Sequence, residues 1–241
     1  MHRGSIRGKM VGAAAFVCVA AILIFTVARS QQLSDPTRLQ EHAKLYHEYS
    51  TGKNLPEMAA TGTGDIEVRN FTMGSSWAPQ NPSSYPSPYL VDSATRANAV
   101  VLGTLNDSVS ALTEDHSYIF TDFTMSVEEV IKDNPVAPIK MNRNIMITRP
   151  GESLVMNGRT VRAVPAYFLP FHVGRRYLLF LSYILKTGAY RCDQDGSFEL
   201  FDHGVGKMTP RASGVPMENR QDPIAFLNEV RAASSTASKI H

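Results

Sequence analysis

Three histidines and two aspartates are the side chains in this sequence best suited to metal or proton chemistry: Asp115-His116, His172 and Asp202-His203. Neutral imidazole is a good zinc or copper ligand, and carboxylates serve beside it as ligands or as groups that orient the ring. These residues are far apart along the chain, so only a fold that gathers three segments could turn them into a site. The remaining chemical signals are thinner. There is no Gly-x-Ser-x-Gly elbow, no His-Glu-x-x-His and no Cys-x-x-Cys, so the common nucleophile and thiolate-zinc patterns are missing. Gly204-Val205-Gly206-Lys207 lacks the first glycine of a phosphate loop and has Met208 where a magnesium-binding hydroxyl belongs, so it reads as a strand end. Asp193-Gln194-Asp195-Gly196 lacks the third acid and closing Glu of a calcium loop and reads as a tight turn. His42 and His47 are five residues apart, a spacing that does not join two imidazoles on a helix face, and both read as solvated.

The elements that would have to position such a site follow from periodicity. Asp35-Pro36 opens a helix to about Tyr49, with Leu39, Ala43, Tyr46 and Tyr49 on one stripe. Residues 51–90 are rich in Pro, Gly and Ser and read as a linker, with one edge strand through Ile66, Val68 and Phe71–Met73 and with Trp77 folded back onto the domain. Ser93 caps a short helical turn through Ala97. Strands follow at 99–105, at 118–131 with a phase slip at Glu128-Glu129, and at 144–148. A hairpin spans 154–164 and turns at Asn157-Gly158. Arg176–Ile184 is apolar on both phases, as a central strand should be, and a last strand pair lies at 190–192 and 198–201. Asp222-Pro223 starts a closing helix with Ile224, Leu227 and Val230 on one stripe, and a flexible tail occupies 234–241.

The first thirty residues have a different chemistry. Arg3, Arg7 and Lys9 precede an uncharged apolar run from Met10 to Val27. That run approaches the roughly 20 residues needed to cross a bilayer and exceeds the ~7–15 of a typical cleaved signal. The basic flank puts residues 1–9 in the cytoplasm and the rest outside. Residues 1–30 are therefore a signal anchor, or a signal peptide cleaved near Ala28-Arg29-Ser30. Residues 31–50 form a juxtamembrane helix. Without the first thirty residues, 20 bases face 22 acids, so the outer part carries no footprint for nucleic acid. Cys18 lies inside the apolar run and Cys192 outside it, so no disulfide framework exists and Cys192 reads as a buried core thiol.

The fold class is mainly β. Five main antiparallel strands and a helix over 91–233 imply a small five-stranded Greek-key barrel of the OB type with a C-terminal helix. The stretches Arg96–Leu105 (RANAVVLGTL), Val127–Lys132 (VEEVIK) and Val173–Leu181 (VGRRYLLFL) resemble strand signatures of netrin-like, metalloproteinase-inhibitor-like OB domains and their bacterial secreted relatives. The resemblance covers roughly residues 90–205. It does not extend to the inhibitors' N-terminal metal-chelating cysteine and disulfides, so it implies the fold and not that inhibition. In such a barrel the turn after the first strand, the start of the fourth and the end of the fifth share one rim. That topology would bring Asp115, His116, His172, Asp202 and His203 together, and zinc is the one cofactor the sequence raises.

Three functions fit. The first is an extracytoplasmic interaction module, held at the membrane by its N-terminal helix and meeting an envelope protein partner. The second is a metal-dependent or hydrolytic enzyme using the His/Asp rim. The third is a glycan-binding module stacking sugars on aromatics such as Tyr118 or Phe120.

Overall fold

The computed structural model describes residues 35–70, 86–166, 168–210, 216–219 and 222–239. The Met10–Val27 run, Phe71–Met73 and Trp77 lie outside the described residues. Among those described, no helix is long and apolar enough to cross a membrane. From Thr37 onward the chain forms one compact unit, mainly β with a C-terminal helix.

Helix α1 (Pro36–Leu45) begins on a proline, whose missing N–H costs nothing in a first turn, and tightens into a 3-10 turn over Tyr46–Tyr49. Its inward face carries Arg38, His42 and Tyr46, spaced by four, with Arg38 partly buried and His42 fully buried rather than solvated. The expected linker is folded over much of its length. Helix α2 (Leu55–Thr61) is capped by Asn54, whose side chain accepts from the Glu57 N–H at 3.2 Å. Strand β1 (Ile66–Asn70) follows, and Leu55, Ala59 and Val68 are buried. Helix α3 (Pro88–Arg96) starts at its proline, five residues before the expected cap, so Ser93 sits buried inside it. Its open carbonyl end is closed by Lys132, which donates to Ala94 O and Ala97 O, both at 2.7 Å.

Strands β2 (Ala99–Leu112) and β3 (Ile119–Lys132) form a long hairpin with three register shifts. One shift skips Glu128, where the sequence slips phase. Gly103 is obligatory there, because a Cβ would come within 2.3 Å of Ser126 O. Strand β4 (Asn144–Pro150) leads into the hairpin of β5 (Glu152–Met156) and β6 (Arg159–Pro165). Asn157 and Gly158 have φ of 51° and 74°, the left-handed pair a two-residue turn requires. Strand β7 (Arg176–Ile184) is followed by β8 (Ala189–Phe201), β9 (Gly204–Pro210), β10 (Pro216–Asn219) and helix α4 (Pro223–Ala237). Asp193–Gly196 is not a turn between two strands. It is a bulge in the continuous β8, between the pairs Leu181↔Cys192 and Leu179↔Ser197, and Gly196 presses against Phe180, where a Cβ would meet Phe180 Cβ at 2.8 Å. On α4 the buried positions are Phe226, Leu227, Val230, Ala233, Ser234 and Ala237, while Ile224 is exposed, and the helix continues past Ser234.

The larger sheet runs β10-β9-β8-β4-β3-β2-β7, and β7 also pairs with β8. The pairings of β8, β4, β3, β2 and β7 thus return on themselves. All are antiparallel except β4 with β8, which is parallel through Ile147↔Tyr190 and Thr148↔Arg191. A second sheet has the order β1-β6-β5. One apolar core, including Val101, Leu105, Phe123, Met125, Ile147, Leu179 and Cys192, lies on one face of these five strands. A second joins Val100, Leu102, Leu178 and Phe198 on their other face to α3 and α4. β2 and β7 are therefore buried on both faces, as the unbroken apolar run of β7 requires. A third core unites α2 and the small sheet with Tyr118 and Ile119. Each fully buried Leu or Phe in these layers contributes roughly 1.5–3 kcal/mol.

Candidate functional site

The expected histidine rim is split. The first residue of β7 pairs near the end of β8 (Arg176↔Leu200), so His172, just before β7, and Asp202-His203, just after β8, belong to the same end of the sheet, all three exposed. β2 meets β7 there at Thr104↔Arg176, then runs on to Leu112 paired only with β3. Those eight residues of β2 separate the Asp115-His116 turn from that pairing. Among the described residues, no group of three His, Cys, Asp or Glu is placed to hold a metal.

Asp115 has another occupation. Its carboxylate accepts from Thr113 Oγ1 (2.7 Å), Ser117 Oγ (2.6 Å), Ser117 N (3.3 Å) and Ser50 Oγ. Burial opposes its ionisation, but these donors outweigh burial and hold the carboxyl far below the usual carboxylate range. It ties the β2–β3 turn to the N-terminal segment. The neighbouring His116 adopts a left-handed φ of 56°, and its carbonyl accepts from Leu55 N. Tyr118 and Phe120, the aromatics suited to stacking a sugar, are fully buried and stack instead on Tyr49 and Tyr46.

Two buried polar clusters lie outside the expected site. The first joins α1 to β3 and to the β7–β8 turn. His42 Nδ1 lies 2.8 and 3.0 Å from the Asp122 carboxylate oxygens, and Nε2 lies 3.0 Å from Thr187 Oγ1. Arg38 Nε approaches Asp122 at 3.5 Å. With Nδ1–H donated to the carboxylate, Nε2 accepts from the threonine hydroxyl, which is the order of orienter, base and nucleophile in hydroxyl-based catalysis. A developing oxyanion would need free donors, however, and the amides of the turn are committed: Thr187 N and Gly188 N to Ile184 O, Ala189 N to Thr187 Oγ1. His42 and Asp122 are fully buried, and the cluster acts as a pin.

The second cluster centres on Arg149. The inward phase of β4 runs Ile145, Ile147, Arg149, so a guanidinium follows two apolar side chains into the core. Arg149 is 1 % exposed. Its guanidinium lies 4.0 Å from the ring centroid of Phe171 and 4.7 Å from that of Phe168. Nη2 donates to Leu169 O at 2.8 Å, whereas Nε and Nη1 have no hydrogen-bond partner among the described residues. Burial pulls its pKa below the ordinary arginine value, and nearby Glu152 opposes that shift.

Arg149 lines a cavity of about 490 Å³ between the small sheet and the Phe168–His172 segment. The walls combine Pro150, Ala163, Pro165 and Phe168 with Glu152, Arg162 and His172. Glu67 and Arg69 stand at the edge as a 2.6 Å ion pair. Glu152 holds φ at 86° beside Gly151 at 98°, and its Oε1 accepts from Phe171 N at 3.0 Å. Gly151 tolerates no Cβ, which would sit 2.6 Å from Pro165 Cδ. A strained non-glycine residue thus forms one wall of the cavity that the buried cation lines. No family model matches the chain, and no curated protein is significantly similar to it.

Proposed function

We propose that this chain is an extracytoplasmic binding module on a five-stranded OB-like barrel of the netrin-like kind, tethered by the Met10–Val27 helix or secreted after its cleavage. The parallel β4–β8 pairing within a closed set of antiparallel strand pairings supports the barrel. The apolar run behind a basic flank supports delivery across a membrane. The observation that carries the binding role is the preformed cavity at Arg149. Its volume falls within the range of ligand sites, and it pairs apolar walls with a few fixed charges.

Crosslinking of the tagged full-length chain in intact cells, followed by capture from membranes and mass spectrometry, tests the proposal. A reproducible envelope partner and an N-terminus at Met1 are expected for a tethered module, and an N-terminus near Ser30 for a secreted one. Recovery of the chain alone would overturn the partner role.

A further inference from the structure

We infer that the Arg149 cavity binds a carboxylate, a single negative charge carried on a small, partly apolar body. The inference deepens the binding role proposed above and rests on it. Nε and Nη1 hold most of the five N–H donors of a guanidinium. Leaving a buried donor unmet costs roughly 1–3 kcal/mol, and burying an unpaired charge costs more. The two phenyl rings return roughly 2 kcal/mol, which offsets part of that cost without occupying a single N–H. No carboxylate of the described residues lies within ion-pair distance of Arg149, and Glu152 spends an oxygen on the Phe171 amide. Among the described residues no acceptor meets these donors, and the inference assigns them to an acceptor from outside the chain.

The surroundings select among anions. Arg69, Arg149 and Arg162 line the cavity against Glu67 and Glu152, with Glu67 paired to Arg69, so the surplus is one positive charge, which a monoanion balances and a dianion such as phosphate overshoots beside Glu152. A carboxylate monoanion also matches a planar guanidinium edge. Pro150, Pro165, Phe168 and Pro170 supply contact for a short apolar body. Two sources offer that chemistry: a free small organic acid, and the C-terminal carboxylate of a polypeptide.

The test is calorimetric titration of the detergent-solubilised full chain with acetate, sodium phosphate, the dipeptide N-acetyl-alanyl-alanine and the C-terminal amide of that dipeptide. The free-acid dipeptide is expected to bind at least about tenfold more tightly than the amide, the worth of one charge-assisted hydrogen bond. Acetate binding as tightly as the dipeptide identifies a small acid, and binding of the dipeptide alone identifies a chain terminus. Arg149→Met is expected to abolish the preference for acid over amide. Equal binding of acid and amide, no binding of either the dipeptide acid or acetate, tighter binding of phosphate, or an unchanged preference in Arg149→Met overturns the inference. The acid-versus-amide comparison needs no variant, so it holds even if Arg149→Met fails to fold. If no acid preference appears but a membrane partner is still captured, the carboxylate assignment falls and the binding module stands. If the acid binds and no partner is captured, the reverse holds.

Discussion

Asp122 and Arg149 are both buried charges on neighbouring strands, and the chain treats them in opposite ways. Asp122 has Arg38 and His42 against its carboxylate, and His42 is held in turn by Thr187. Arg149 has two aromatic faces, one carbonyl and open donors beside a cavity. A buried charge whose partners all come from the same chain holds elements together. A buried charge with donors to spare is stabilised fully only when something else arrives.

The difference is open to measurement. The largest effect is expected from His42→Ala, which removes the principal partner of a buried carboxylate and should cost ~3–5 kcal/mol in urea unfolding. A loss below about 1 kcal/mol would mean that the pin contributes little. Arg149→Met is expected to act in the other direction without ligand. It replaces an unpaired buried cation with an apolar chain of similar length and should raise stability by ~1–4 kcal/mol. A loss of several kcal/mol would place Arg149 in the same structural class as Asp122. Lys132 is the intermediate case, a half-buried cation whose acceptors are the end carbonyls of α3. Lys132→Met should cost ~1 kcal/mol, read as a lower unfolding midpoint.

Asp115 is the solvent-side counterpart of Asp122 and gives the smallest effect, one that depends on pH. Its folded-state pKa lies below the unfolded value of about 3.9, so its contribution is complete above about pH 4 and fades as the pH falls toward the folded value. The stability gap between wild type and Asp115→Asn should therefore be widest above about pH 4 and narrow in acid. A gap that is constant with pH would remove Asp115 from the list of stabilising charges.

Much of the fold could be read from the sequence where local pattern and tertiary demand agree. β7 follows from an apolar run, the β5–β6 hairpin from Asn157-Gly158, and the β3 bulge from the slip at Glu128. The misreadings came where composition spoke louder than a local signal. Residues 51–70 look like spacer, yet Asn54-Leu55-Pro56-Glu57 carries a cap, a proline in the first turn and an acid to meet the helix dipole. His42 reads as solvated in the sequence because its partners stand 80 and 145 residues away. Nothing local announces such contacts, although Arg38 and Tyr46 share its face at spacings of four. Arg149 left a clearer trace: an arginine on the inward phase of a strand two residues beyond Ile147 contradicts the pattern around it. The histidine rim is divided by strand length, since the overshoot of β2 past β7 is set by register.

The 145-residue span between His42 and Thr187 also has a consequence in time. α1 is made well before the turn that locks it in place. β2 likewise waits for β7, some 80 residues downstream, before its second edge is covered. No fragment ending before the β7–β8 turn can complete the pin, so the docking of α1 is deferred until that turn has been made. Contacts this distant slow folding by raising the entropy of closure. A chain whose pin closes only once the β7–β8 turn is made stays threadable until then, which fits the delivery across a membrane proposed above.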